Sequence, residues 1–149
     1  MDKYFYFRTV ADQDDDDAKA DSLMIPVDRL TGIEPYNSSN GTSADTLILY
    51  FTSLANEYSP TTTDFLICDT VKLTVTAGKS KQAIEALSNA MAGGHATNHR
   101  HSDGIIVVAD DVTTTYLTSS AAADETKSAF YLDSGITACG AITVAAAWS

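Results

Sequence analysis

Val71-Lys72-Leu73-Thr74-Val75-Thr76, then Gly78, Ser80, Ala83-Ile84, Leu87, Met91, Gly93-Gly94 and Gly104-Ile105-Ile106-Val107-Val108-Ala109 are the successive signals of one stretch, and their order decides the fold. Val71, Leu73 and Val75 alternate with polar residues, as a half-buried strand requires. Gly78 breaks the run. Ser80 stands where an N-cap belongs, its hydroxyl placed to accept from a first-turn N–H. Ala83, Ile84, Leu87 and Met91 then paint one apolar stripe on a helix over residues 80–92. Gly93-Gly94 ends it, since a C′ glycine takes positive φ at no cost. The run from Gly104 to Ala109 reads as a strand buried on both faces. A helix this short is not stable alone, so it must lie on a sheet.

The flanking sequence supplies the remaining strands. Tyr4-Phe5-Tyr6-Phe7-Arg8-Thr9-Val10 is rich in strand-forming aromatics, and Ser22 to Val27 is a short strand that must be an edge or end at Pro26. Asp28 to Tyr36 reads as a loop, with Gly32 and Pro35 as breakers. Thr46 to Thr52 is a continuous apolar run and so a central strand. Phe65 to Cys68 leads into Val71, with Asp69-Thr70 as a kink or bulge. Thr113–Leu117, Ala129–Leu132 and Ala141–Trp148 follow, with a solvated connection over Ser119–Lys127. About eight strands and one helix make an α+β fold, mainly antiparallel, arranged as a sandwich or rolled sheet. The 149 residues fit a single domain.

Charge restricts the partners. Nine basic against twenty acidic residues leave a formal charge of -11. Nucleic acid is excluded, because phosphate binding needs clustered Lys and Arg, and so is an anionic membrane surface. No apolar run approaches the ~18 residues of a membrane span. The start of the chain lacks the pattern of a signal peptide, which implies synthesis in a cytoplasm. Cys68 and Cys139 have no CxxC spacing and read as two buried thiols, with one bridge as the alternative.

Two clusters carry the only metal-type chemistry. His95, His99, His101 and Asp103 share one polar loop, and His99, His101 and Asp103 would face one way if extended, a start for a zinc, iron or nickel site. The interleaved Arg100 would oppose a dication. Asp12, Asp14 and Asp16 have the spacing of an EF-hand loop, but Asp17 and Leu23 occupy its diagnostic Gly and Glu positions. A self-repelling hairpin tip explains that run better, with a divalent cation as the only cofactor it offers. Asp110-Asp111 reads as a solvated strand end rather than as an acid–base pair. There is no nucleophile elbow, phosphate loop or dinucleotide fingerprint, so a non-enzymatic role is expected.

Lys3 to Val10, Pro26-Val27-Asp28-Arg29-Leu30, Gly104 to Val112 and Ile142 to Ala147 together resemble small structural proteins of tailed marine bacteriophages, those infecting cyanobacteria above all. That resemblance implies a many-copy part of the virion, first a capsid decoration or cement protein, with a tail, neck or fibre component as the alternative. It implies contact with a major capsid protein or another virion protein, self-assembly as a homo-oligomer with a trimer favoured, and a final place on the capsid surface. Terminal strands suit pairing with neighbouring subunits, which makes Tyr4, Phe5, Tyr6, Phe7 and Trp148 the candidate interface residues. A small metal- or ligand-binding module built on the His95–Asp103 loop is the reading from a different class.

Overall fold

The computed structural model describes residues 3–10, 16–18, 20–36, 45–52, 68–92, 104–112, 114–115, 125–126 and 129–144. Ten strands and one helix lie in these segments. In chain order they are β1 (Tyr4–Arg8), β2 (Ser22–Pro26), β3 (Leu30–Tyr36), β4 (Asp45–Thr52), β5 (Cys68–Val75), α1 (Ser80–Met91), β6 (Ile105–Asp110), β7 (Thr114–Thr115), β8 (Glu125–Thr126), β9 (Phe130–Tyr131) and β10 (Ile136–Thr143). Two four-stranded sheets form, in the orders β2-β1-β6-β9 and β10-β5-β4-β3, with β7 and β8 as a separate ribbon. The pairing is antiparallel except between β1 and β6. The expected class holds: mostly antiparallel β, sandwich-like, with one short helix.

Alternation packs the two sheets together. Phe5 and Phe7 point inward from β1 and Phe51 from β4, all at 0% exposure. The three ring centroids are 6.2 to 6.3 Å apart, with both Phe51 contacts edge-on, the arrangement that aromatic quadrupoles favour. Leu47, Leu49, Val71, Leu73 and Val75 continue the core on the second sheet, and Leu23, Ile25, Ile106 and Val108 on the first. Residues Thr46 to Thr52 form an interior strand, as expected, and β2 stops at Pro26 on an edge.

Several local expectations are corrected. Ser80 is not the N-cap: Lys79 takes that place, no side chain caps the helix, and the Ser80 hydroxyl is buried without a hydrogen-bond partner. Tertiary contacts hold the turn instead. Gly78, at φ +80°, donates its N–H to Asp45 at 3.0 Å, and Gln82 donates to Asp133 at 2.9 Å. At the other end Lys3 Nζ donates to the carbonyls of Ala90 (3.2 Å) and Met91 (3.4 Å), placing a cation on the negative pole of the helix. Ala83, Leu87 and Ala90 are buried while Ile84 and Met91 pack at the margin, so the stripe is rotated slightly from the expected one. Gly93-Gly94 lies outside the described residues.

The supposed loop Asp28–Tyr36 is mostly strand: after a short 3-10 turn (Val27–Arg29), β3 pairs with β4 from Leu30 to Tyr36. Its breakers are tolerated because β3 is an edge. No irregularity interrupts β4 and β5 at Asp69-Thr70. Asp69 simply takes a core-facing place opposite Phe51, at 0% exposure. The last strand begins at Ile136, earlier than Ala141, and shifts register between Cys139 and Ile142. Gly140 permits this, since a Cβ there would stand 2.9 Å from the Lys72 carbonyl oxygen. Glu125-Thr126, within the expected connection, pairs with Thr114-Thr115.

Phe51 joins the two sheets, so Phe51→Ala is expected to destabilise the fold by about 3–5 kcal/mol, read as a lower urea midpoint with an unchanged slope.

Candidate interaction edge

A two-sheet sandwich leaves four edge strands, and what covers each decides what the surface can do. Here β2 and β9 bound the first sheet, and β10 and β3 the second. Because β10 contacts β6 and β9, and β2 runs through a three-residue turn into β3, the edges sort into two flanks. One carries β9 and β10. The other carries β2 and β3.

The first flank is closed by side chains. β9 is only two residues long. On β10 the Cys139 N–H donates to both Asp111 carboxylate oxygens, at 3.0 and 3.2 Å. The Cys139 carbonyl accepts from the Thr9 hydroxyl at 2.9 Å. At Cys139 the main-chain groups that an incoming strand would need are thus already bonded to side chains of the other sheet. The Tyr131 hydroxyl donates to Asp111 at 2.6 Å, and the Asp111 N–H donates to the Arg8 carbonyl at 3.0 Å. One residue earlier, Arg8 Nε and Nη2 donate to the two oxygens of Asp110 at 3.1 and 3.2 Å, and the Val112 N–H adds a third bond at 3.1 Å. Asp110 is 7% exposed. The pair Asp110-Asp111 is therefore not a solvated strand end, and as its oxygens are committed to Arg8, Tyr131 and backbone, it is a fastening between strands.

Burial, with Asp111 and Asp110 nearby, pushes the Cys139 thiol up from an ordinary 9.0 to about 12. Burial and then the bond to Asp111 also hold the Tyr131 phenol well above its ordinary 10.0. Both groups stay neutral at physiological pH, and a thiol so placed is a poor nucleophile. Cys68 and Cys139 are both free thiols. Cys68 begins β5 and Cys139 pairs with Leu73, five positions further along it, roughly 17 Å at strand rise, well beyond disulfide reach.

The second flank is open among the described residues. The Val27 N–H donates to Lys3 at 3.0 Å and the Thr9 N–H to Asp21 at 2.9 Å, and Phe5 faces Ile25 while Phe7 faces Leu23. In an antiparallel ladder hydrogen-bonded pairs alternate, so Asp21, Leu23, Ile25 and Val27 turn their main-chain groups to β1. Ser22, Met24 and Pro26 turn theirs outward. Among the described residues no strand pairs with that side of β2. Met24 offers both N–H and C=O there, whereas Pro26 offers only C=O. No residue of β2 is charged. The exposed large hydrophobics of the described surface, Met24 at 50% and Tyr36 at 55%, lie on β2 and β3. Beyond Pro26 opens a groove of about 490 Å³ lined by Lys3, Tyr4, Pro26, Val27, Asp28, Arg29 and Met91.

Of the sequence-derived candidates, His95, His99, His101, Asp103, Asp12, Asp14 and Trp148 lie outside the described residues. Asp16 is described: it accepts from Ser22 at 2.8 Å and meets Arg8 Nη1 at 3.5 Å, which ties the β1–β2 connection back onto the sheet. Among the described residues no group of three His, Cys, Asp or Glu is placed to hold a metal. Phe5 and Phe7 occupy the core and offer nothing to a partner in the folded chain. Tyr4 and Tyr6 lie half-buried on the outer face, Tyr6 under the Arg8 guanidinium at 5.6 Å. Sequence reasoning missed Thr9, Asp111 and Tyr131 as an edge cap, whose only local signal was the carboxylate pair ending a buried run.

Asp110→Asn takes the two-point partner from the partly buried Arg8 guanidinium and leaves it only the longer contact to Asp16, and a loss of about 1–3 kcal/mol is expected by chemical denaturation. Alkaline pH supplies a second check. Cys139 in the folded chain titrates higher than in the unfolded chain, so its contribution is intact below pH 9 and is lost as the pH climbs toward 12. Unfolding free energy should fall across that window, less steeply in Cys139→Ala. No protein-family model, curated protein or solved structure matches the chain.

Proposed function

We propose that this chain is a non-enzymatic structural protein of a phage particle that decorates and stabilises the capsid surface through many-copy protein–protein contacts. The single observation that carries this reading is the asymmetry of the flanks: β10 is bonded at Cys139 by Asp111 and Thr9, while no described strand pairs with the outer side of β2. Strand addition supplies backbone hydrogen bonds without a side-chain code, which suits a contact repeated over a lattice. The formal charge of -11 keeps crowded copies soluble and attracts basic patches on a shell. Repetition lets modest interfaces sum through avidity. The resemblance to small phage structural proteins points the same way, with the major capsid protein as the partner and a homo-oligomer, a trimer first, as the unit that docks.

In a density gradient of lysate from producing cells, the chain is expected to band with intact particles, and antibody labelling should cover the shell in many copies. Label confined to the tail or neck would move the chain to that part of the particle. Recovery only in the particle-free fractions would overturn the reading.

A further inference from the structure

We infer that β2 pairs antiparallel with β2 of a second copy of this chain, about a twofold axis through Met24, so that the first sheet runs on across two subunits. This rests on the reading of the β2 edge as an assembly surface, names its occupant, and joins chains or larger units in pairs.

Backbone geometry fits a self-pairing. Ser22, Met24 and Pro26 turn their main-chain groups away from β1, because Asp21 and Val27 bond to it at either end of the strand. Met24 is the middle residue of the five in β2, so a twofold through it pairs the whole strand with itself. The two Met24 residues exchange N–H and C=O, and each Ser22 N–H donates to the Pro26 carbonyl of the other copy. The Ser22 carbonyl, opposite a proline nitrogen, is the one ladder acceptor left without a donor, and it lies at the strand end. Side chains agree with the backbone. Tyr6 lies opposite Met24 and Tyr4 opposite Pro26, which puts these four on the outer face, and Met24 is 50% exposed. The pairing sets two unbranched thioethers side by side, and such side chains adapt to one another without a fixed fit. An isologous contact also closes on itself, using up both edges and leaving none for a third chain.

Charge decides the partner and its direction. A second copy brings another net charge of -11, so the contact must put unlike charges together or none at all. β2 itself carries none, but its two ends differ. Past Pro26 lies the groove lined by Lys3, Asp28 and Arg29. Before Ser22 come Asp16, Asp17 and Asp21. Asp16 accepts from the Ser22 hydroxyl at 2.8 Å and meets Arg8 at 3.5 Å. Asp21 accepts the N–H groups of Asp17 and Ala18 at 3.2 and 2.8 Å, which holds the acidic turn against the strand. With Asp28 and Arg8 counted as counter-charges, one end keeps an excess of positive charge and the other an excess of negative. Antiparallel self-pairing lays each end against the opposite end of the other copy, twice over. A parallel β2–β2 contact would set acid against acid. The edge thus carries its own complement.

The test is mass in solution by light scattering, on the full chain and three variants checked for folding by circular dichroism. Wild type is expected at twice the mass of Met24→Lys, which sets two cations face to face at the axis. Arg29→Glu and Asp17→Lys lie off the strand, and each alone puts like charges together at both ends of the contact. Each is expected to pair about tenfold more weakly than wild type. An equimolar mixture of these two should recover the wild-type mass as 1:1 pairs, because both ends are then complementary again. A mixture as weak as its components, with Met24→Lys still halving the mass, keeps β2 as the assembly edge and overturns the antiparallel twofold. A wild-type monomer at every concentration overturns the second copy as occupant and leaves the edge to a strand from the shell. A wild-type assembly unmoved by Met24→Lys overturns the inference together with the reading of β2 as the assembly edge. Where Met24→Lys does not fold, the two charge variants and their mixture decide.

Discussion

The two-point ion pair between Arg8 and Asp110 sets the alignment on which the rest depends. β1 and β6 run parallel, and parallel strands can be joined only by a long crossover, so nothing local fixes their register. The pairing shifts by one residue between Tyr6 and Phe7, which brings Arg8 level with Asp110. A partly buried ion pair adds little net stability over an apolar pair of the same size, but misalignment would leave both charges poorly solvated and unpaired. Its effect is therefore on which register survives. Once Arg8 is seated, its carbonyl receives the Asp111 N–H, and Asp111 and Thr9 fall beside Cys139 on the facing sheet. The same residue that aligns the first sheet thus decides where the second is fastened.

That fastening consumes the hydrogen-bonding capacity of one flank. Edge strands expose donors and acceptors to any passing chain, and proteins cover them, shorten them or charge them. β9 is short and β10 is bonded at its middle by side chains. Along β2 the one protective device among the described residues is Pro26, at the end. Among the described residues one flank is fastened and the opposite one is not, and an unpaired edge invites pairing with another chain. The asymmetry is the physical content of the functional reading.

Periodicity made the elements legible where burial was one-sided. Val71, Leu73 and Val75 announced β5, and Gly78 with the stripe that follows it announced the helix. Where a backbone break is harmless, the same logic misled: Gly32 and Pro35 read as loop, yet an edge strand needs only one bonded side, so β3 keeps both. Ser80 looked like a cap because local sequence shows a hydroxyl in the right place, whereas Asp45 on β4 and Asp133 in the β9–β10 turn hold that helix end from far along the chain. The aromatic run Tyr4–Phe7 showed its strand but not its neighbours, for nothing in it distinguishes an outward-reaching strand from one whose Phe5 and Phe7 meet Phe51. The Asp110-Asp111 pair was visible as carboxylates and illegible as a clasp, since Arg8, Tyr131 and Cys139 approach it from three other strands.

Net charge completes the picture. A chain at -11 repels its own copies over a range of about 8 Å at physiological ionic strength, so any self-contact must be short-ranged and must avoid placing carboxylates together. Strand pairing meets both conditions, because its bonds form at about 2.9 Å between neutral amides. Glu34 is the sole charged residue on either strand of the open flank, and it already receives the Tyr50 hydroxyl at 3.0 Å. Diffuse repulsion opposes close approach over most of the surface, and a neutral edge is where that opposition is weakest. Acidity and an uncharged edge are thus two parts of one arrangement: the first keeps other molecules of the same charge apart, and the second leaves one strand where that repulsion is least.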